Sequence, residues 1–183
     1  MYGLVNKAIE ELVVATAGEE AWSRIRARAG LEVPVFVRME AYPDSITYDL
    51  VAAASAELGM TPEAVLEAFG EHWILYTAKE GYGELLALGG SSFRDFLLNL
   101  HDLHTRVGLS FPHLRPPSFA CEEIDASTLR LHYDSTREGL APMVVGLLRG
   151  LGRMFHTEVT VEQVARRAEA GRDEFLVRYQ QGA

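Results

Sequence analysis

The sequence predicts an α+β protein, with a mainly helical N-terminal lobe and a C-terminal lobe built from an antiparallel sheet and a long helix. Three observations carry that reading. From residue 2 to about residue 107, apolar residues recur at three- and four-residue spacings, the period of a helix with one buried stripe. After Pro116-Pro117 the pattern changes to alternation and β-branched content, in SFACEEID, STLRLHYD, EVTVEQV and DEFLVRYQ. One helical stretch near 139–154 separates these strands. At 183 residues the chain is long enough for one domain, 1–183, whose helical lobe covers about 1–60 and whose α+β lobe covers about 61–183.

The elements follow in order. Leu4, Val5, Ala8, Ile9, Leu12 and Val13 place a helix over 2–17, and Gly18 is a natural stop. A second short helix over 19–29 ends at Gly30. In VPVFVRMEAYPD, Pro34 and Pro43 argue for an extended link with a turn. SITYDLVAAASAEL returns to helical spacing over 45–58. Thr61-Pro62-Glu63 starts the next helix, because Thr can cap it and Pro suits its first position. That helix is expected to run to about Tyr76. A short helix near 80–88 ends at Gly89-Gly90, and Ser91 or Ser92 can cap the one after it. This last helix is expected to continue to about Val107, with Gly108 and Pro112 beyond its end.

Composition excludes several classes of function. Apolar residues make up 48% of the chain, which suits a packed core rather than disorder. Lys plus Arg number 17 against 26 Asp plus Glu, a net charge of −9. Nucleic acid and anionic membranes need a basic face, so neither is expected as a partner. The one cysteine, Cys121, excludes an intramolecular disulfide and any CxxC element. No run reaches the roughly 18 apolar residues of a membrane span. The N-terminal segment lacks the basic start of a signal peptide. The expectation is a cytoplasmic protein.

NLHDLHTRVG sets His101 and His104 three residues apart. At about 100° per residue from Phe93, the residues Phe96, Leu97, Leu100, Leu103 and Val107 share an arc about 120° wide. His104 lies inside it, roughly 40° from the centre; His101 lies roughly 100° away, near solvent. The two rings are unequal, and no Glu-x-x-His accompanies them. His104 is either a core histidine bonded to backbone or the axial ligand of a haem, which needs an apolar slot and one neutral imidazole nitrogen. In LHYDSTREG, Tyr133, Ser135 and Arg137 fall at alternate positions. An extended segment would aim all three one way, where Arg137 and two hydroxyls could grip a carboxylate. The plainer reading is a solvated strand end.

On these residues the chain resembles the haem-nitric oxide/oxygen binding (H-NOX) domain family. That family includes the haem domain of the soluble guanylate cyclase β subunit and stand-alone cyanobacterial proteins. The likeness runs through MYGLVNKAIEELV, TYDLVAAASAELG, AFGEHW, GYGELLALGGSSFRDFLLNLHDLH, FPHLRPPSF and LHYDSTREGL, nearly the whole chain. A histidine followed thirteen residues later by proline, then Tyr-x-Ser-x-Arg, is a specific combination. The resemblance implies non-covalent haem b between the lobes and makes the helix before Gly108 the proximal one. It implies His104 as the iron ligand, Tyr133, Ser135 and Arg137 as the propionate partners, and Pro117 packed against the porphyrin. His101 stands where relatives commonly carry Asp. Alignment through the glycine of APMVVGLL puts Met143 where dioxygen-binding members carry a Tyr, with Val5, Trp73 and Leu147 at other distal positions.

The resemblance therefore implies a sensor rather than an enzyme. Nitric oxide and carbon monoxide are expected to bind, dioxygen is expected to be rejected, and nitric oxide is expected to break the bond to His104. The expectation is that no cyclase or kinase region belongs to the chain and that the signal passes to a separate protein. The family points to a sensor histidine kinase, a cyclic-dinucleotide enzyme or a nucleotide cyclase. A rival reading is a haem enzyme handling nitric oxide or peroxide. Such an enzyme needs distal acid/base groups, and His72, one residue from Trp73, points about 100° away from it. Another rival is a haem-free adaptor, in which His104 is core and Arg137 surface. Cys121 is read as a buried strand thiol, with a redox or nitrosation switch as the alternative.

Overall fold

A computed structural model describes residues 1–32, 35–78, 83, 86–110 and 115–181. Pro34, Pro112 and most of the helix expected near 80–88 lie outside these residues. The first helix, α1 (Gly3–Arg28), is a kinked rod. Gly18 interrupts it at φ 84° and ψ 170°, a conformation essentially reserved for glycine. The two expected helices are thus present, end to end. Ala8, Ile9 and Val13 before the kink, and Ala21, Trp22 and Ile25 after it, are all buried. α2 (Asp44–Leu58) follows, and Thr61 Oγ then caps α3 (Pro62–His72), accepting from Ala64 N–H at 3.2 Å. α3 runs on into a π-helical turn, Trp73–Ala78.

The helix expected to run unbroken to Val107 is two helices, α4 (Phe93–Leu98) and α5 (Leu100–Ser110). Ser92 caps α4, its Oγ accepting from Asp95 N–H at 3.1 Å. Asn99 breaks the run at φ −92° and ψ 2°, with its side-chain amide donating to Gly89 O at 3.1 Å. An amide bonded to a neighbouring turn holds its backbone off helical geometry. Backbone bonds from Asn99 N–H to Asp95 O and from Leu103 N–H to Asn99 O, both 3.0 Å, carry the ladder across the break. Gly108 does not end α5. Its φ is not positive, so it forms no left-handed cap, and a helical glycine costs only about 1 kcal/mol.

β1 (Ser118–Asp125), β2 (Thr128–Asp134), β3 (Thr157–Ala165) and β4 (Asp173–Gln181) form one antiparallel sheet in the order β1-β2-β4-β3. α6 (Ala141–Met154) joins β2 to β3, and the short α7 (Arg167–Ala170) joins β3 to β4. Alternation assigns the faces. Leu129, Leu131 and Tyr133 of β2, with Phe175, Val177 and Tyr179 of β4, enter a core shared with α4 and α6. A second core joins α1 and α2 to Val65, Leu66 and Phe69 of α3, and Trp73 packs against both cores. Among the described residues, no helix is long and apolar enough to cross a membrane.

α3 and α6 meet backbone to backbone. A Cβ on Gly146 would lie 2.0 Å from Glu67 O, and one on Gly70 would lie 2.2 Å from Met143 O. Neither obstacle is a flexible side chain. Gly146→Ala must therefore separate the helices, at the roughly 1–3 kcal/mol typical of overpacking. Thermal unfolding should report a Tm lower by about 2–4 °C per kcal/mol in a domain of this size. An unchanged Tm would mean that this contact does not constrain the helices.

Candidate functional site

The two cores leave a cavity of about 350 Å³ between them, walled chiefly by apolar side chains. Such a volume and lining suit a small-molecule or cofactor site. His104 reaches this wall from α5. Its Nδ1 lies 2.9 Å from Leu100 O. A carbonyl only accepts, so in the neutral ring this bond puts the proton on Nδ1 and leaves Nε2 with a free lone pair. The Phe119 ring sits 4.9 Å away, centroid to centroid, tilted by 47°. His101 is exposed and does not line the cavity. The inequality read from helical spacing is present despite the break at Asn99, because both histidines follow the break and keep their spacing within α5.

Burial holds His104 below its ordinary value of 6.5; the Leu100 bond opposes that shift and His101 adds to it. The folded state therefore resists protonation more than the unfolded chain does. The stability this contributes is present above pH 6.5 and is lost as pH falls through the lowered folded value. Urea midpoints of haem-free protein should fall on acidification below pH 6.5, and less steeply in His104→Leu. Parallel profiles for the two would contradict this origin.

Tyr133, Ser135 and Arg137 all line the same cavity, but not as one extended run. Tyr133 is on β2, Ser135 lies just past it, and Arg137 sits in a bend. The turn forms because Ser135 Oγ accepts from Arg137 N–H at 3.1 Å, a local bond that competes with the sheet ladder. Tyr133 is buried, and burial raises its hydroxyl pKa, while a hydrogen bond with Ser135 and the nearby Arg137 oppose that rise. Arg137 donates from Nε to Asp44 Oδ2 at 2.8 Å and from Nη1 to Arg115 O at 3.0 Å. Tyr48 O–H donates to Glu138 O at 2.9 Å, so α2 holds the turn from the far side. Burial pushes the Asp44 carboxyl up, but the Met1 α-ammonium and Arg137 outweigh it and leave it low.

Asp44 and Tyr48 carry no signal of this role in the sequence. In sequence they belong to an ordinary amphipathic helix, 93 and 90 residues from their partners. Pro117 lines the cavity beside Pro116 and below Phe119 in sequence. Val5, Trp73, Met143 and Leu147 line it as well. His72 stacks on Tyr76 at 4.8 Å and is not on the wall. Among the described residues, the wall carries no carboxylate and no histidine besides His104. No group of three or more His, Cys, Asp or Glu side chains there could hold a metal ion. Cys121 is half-buried on β1, and burial, aided by Glu123 and Glu122, pushes its thiol up to about 11. So protonated a thiol is a poor nucleophile.

This donor set fits a haem. A flat apolar macrocycle needs apolar walls, one neutral imidazole for the iron, and hydroxyls with a cation for its carboxylates. The cavity lining brings those three kinds of group together.

Comparison with known proteins gives the class. The chain is 33% identical over 165 residues to soluble guanylate cyclase gcy-32 of Caenorhabditis elegans, and 32% identical over 165 residues to gcy-34 of the same animal. Each match covers 88% of this chain and 24% of the cyclase, so the chain spans about a quarter of the length of these curated relatives. A mutant H-NOX protein from S. oneidensis in the Fe(II) ligation state has the same fold. Its TM-score is 0.91 at 20% identity, over 100% of this chain and 98% of the other. The Fe(II)NO form of an H-NOX protein from S. oneidensis gives 0.86 at 20% identity, over 100% of both chains. The haem-NO-binding (HNOB) family profile matches residues 2–163. The chain belongs to the haem-NO-binding family, a family of haem-based gas-sensor domains.

Proposed function

We propose that this chain is a gas sensor that binds nitric oxide and carbon monoxide at ferrous haem b, excludes dioxygen, and signals to a separate partner protein. The observation that carries the reading is the convergence on one apolar cavity of His104, with Nε2 free, and the Tyr133–Ser135–Arg137 turn. When bound, haem supplies an iron atom with one position open to a diatomic gas. His104 Nε2 would hold the iron from the α5 side, and Tyr133, Ser135 and Arg137 would bind a carboxylate at the rim. Pro117 would set a rigid ring against the macrocycle. Val5, Trp73, Met143 and Leu147 form the gas side. The reading keeps the division into a helical lobe, about 1–60, and an α+β lobe, about 61–183, with the cavity between them.

Nitric oxide would release His104, whose ring keeps its 2.9 Å bond to Leu100 O and its contact with the Phe119 ring. α5 starts after the Asn99 break, and its buried Leu100 and Leu103 share a core with Phe93, Phe96 and Leu97 of α4, so a shift of α5 would repack that core. Signalling requires only that the gas favour one of two arrangements of α5 energetically. A sensor histidine kinase, a cyclic-dinucleotide enzyme or a nucleotide cyclase would receive the signal.

The rival is a haem enzyme handling nitric oxide or peroxide, which needs acid/base groups on the gas side. The absorption spectrum of reduced, haem-loaded protein, challenged in turn with carbon monoxide, nitric oxide and peroxide, separates the two. Both gases should shift the Soret band, with no peroxide turnover. Absence of a Soret band, or rapid peroxide turnover, would overturn the sensor reading.

A further inference from the structure

The connection between β3 and β4 reaches back to the Tyr133–Ser135–Arg137 turn. Arg167, at the start of α7, donates from Nη1 to Ser135 O. Its backbone N–H donates to Asp173 Oδ1 at 3.1 Å, and that same oxygen accepts from Gln163 Nε2 at 2.8 Å. Asp173 pairs with Tyr133 in the register of β2 and β4. The base of Arg167 is thus fixed to the sheet, and its guanidinium closes over the carbonyl between Tyr133 and Arg137.

That carbonyl matters because the turn has few restraints of its own. Past Asp134 the β2 ladder has ended, and Ser135 Oγ is occupied by Arg137 N–H. Rotation of the Ser135–Thr136 peptide would break the bond between Ser135 Oγ and Arg137 N–H and shift the start of the Arg137 side chain. The other bonds to the turn come from α2, from Arg115 O and from the Tyr133 hydroxyl, and none of them touches the Ser135 carbonyl.

We propose that Arg167 is a positioning residue for the haem-carboxylate site, orienting the Ser135 peptide so that the Ser135 hydroxyl and the Arg137 guanidinium meet one carboxylate. The inference rests on the haem reading. Partners that orient direct ligands typically change affinity by about 10–100-fold. The Arg167 bond is exposed, so the lower end applies.

The test is the rate of haem loss from loaded protein to an excess of a haem-scavenging apoglobin, read for wild type, Arg167→Ala, Ser135→Ala, the double variant and Arg167→Lys. Arg167→Ala should lose haem about tenfold faster. The double variant should exceed Ser135→Ala by clearly less than tenfold, because Arg167 then has only the Arg137 guanidinium left to place. Arg167→Lys should recover part of the loss, since an ammonium can still donate to the carbonyl. Haem-free Arg167→Ala should unfold at the wild-type Tm. Additive loss in the double variant with a lowered Tm would assign Arg167 a purely structural role and overturn the proposal. Wild-type haem loss in Arg167→Ala would overturn it alone, whereas a wild-type chain that takes up no haem overturns the haem reading and this proposal together.

Discussion

His104→Gly should leave the protein with no detectable haem after purification, and free imidazole added during loading should restore it. The ring fills a place on the cavity wall with Nδ1 tied to Leu100 O and burial keeping it neutral. Removing it deletes the one histidine on the described wall and leaves space shaped for an imidazole. Free imidazole enters that space without strain, because backbone around the ring is set by α5 and not by the side chain. His101→Ala should retain haem like wild type, since His101 is exposed and off the wall. Equal haem loss in the two variants would contradict the assignment of His104. The comparison is read as the Soret-to-protein absorbance ratio.

The second large effect concerns dioxygen. Ferrous, haem-loaded protein opened to air should develop no stable oxy spectrum while still binding carbon monoxide. Bound dioxygen carries partial negative charge and gains from a hydrogen-bond donor, by about 1–3 kcal/mol. That is roughly a 5- to 150-fold loss of affinity where the donor is missing. Val5, Met143 and Leu147 supply no donor, and carbon monoxide needs one far less. Trp73 is the exception, packed against both cores, with its ring edge-on to Phe69 at 6.1 Å. Stable, reversible oxygenation would contradict the apolar gas side, and its disappearance in Trp73→Phe would identify the indole as the donor.

What the sequence made legible was local or periodic. The strands could be read because side chains alternate between two faces: β3 alternates between exposed and more buried positions along its length, and Leu129, Leu131 and Tyr133 of β2 enter one core. Thr61 and Gly18 acted where local chemistry alone decides the backbone. His104 stood out because its helical position coincides with the buried arc. The break at Asn99 was hidden, since it depends on a bond to a carbonyl ten residues upstream. The bend at Ser135 was hidden too: alternate spacing cannot tell a continuing strand from a turn closed by Ser135 Oγ. Asp44 and Arg167 reach the site only through the fold, and neither position carries a local signal. Met143 and Leu147 read as core filler from spacing, and only the family likeness singled them out as pocket positions.

The central claim is that His104 holds the iron and that nitric oxide breaks that bond. The resonance Raman spectrum of the reduced protein, recorded before and after nitric oxide, tests it most directly. An iron–histidine stretching band should be present in the reduced protein and absent once the gas is bound. No such band in the reduced protein, or a histidine still bound to iron after nitric oxide, would contradict the account.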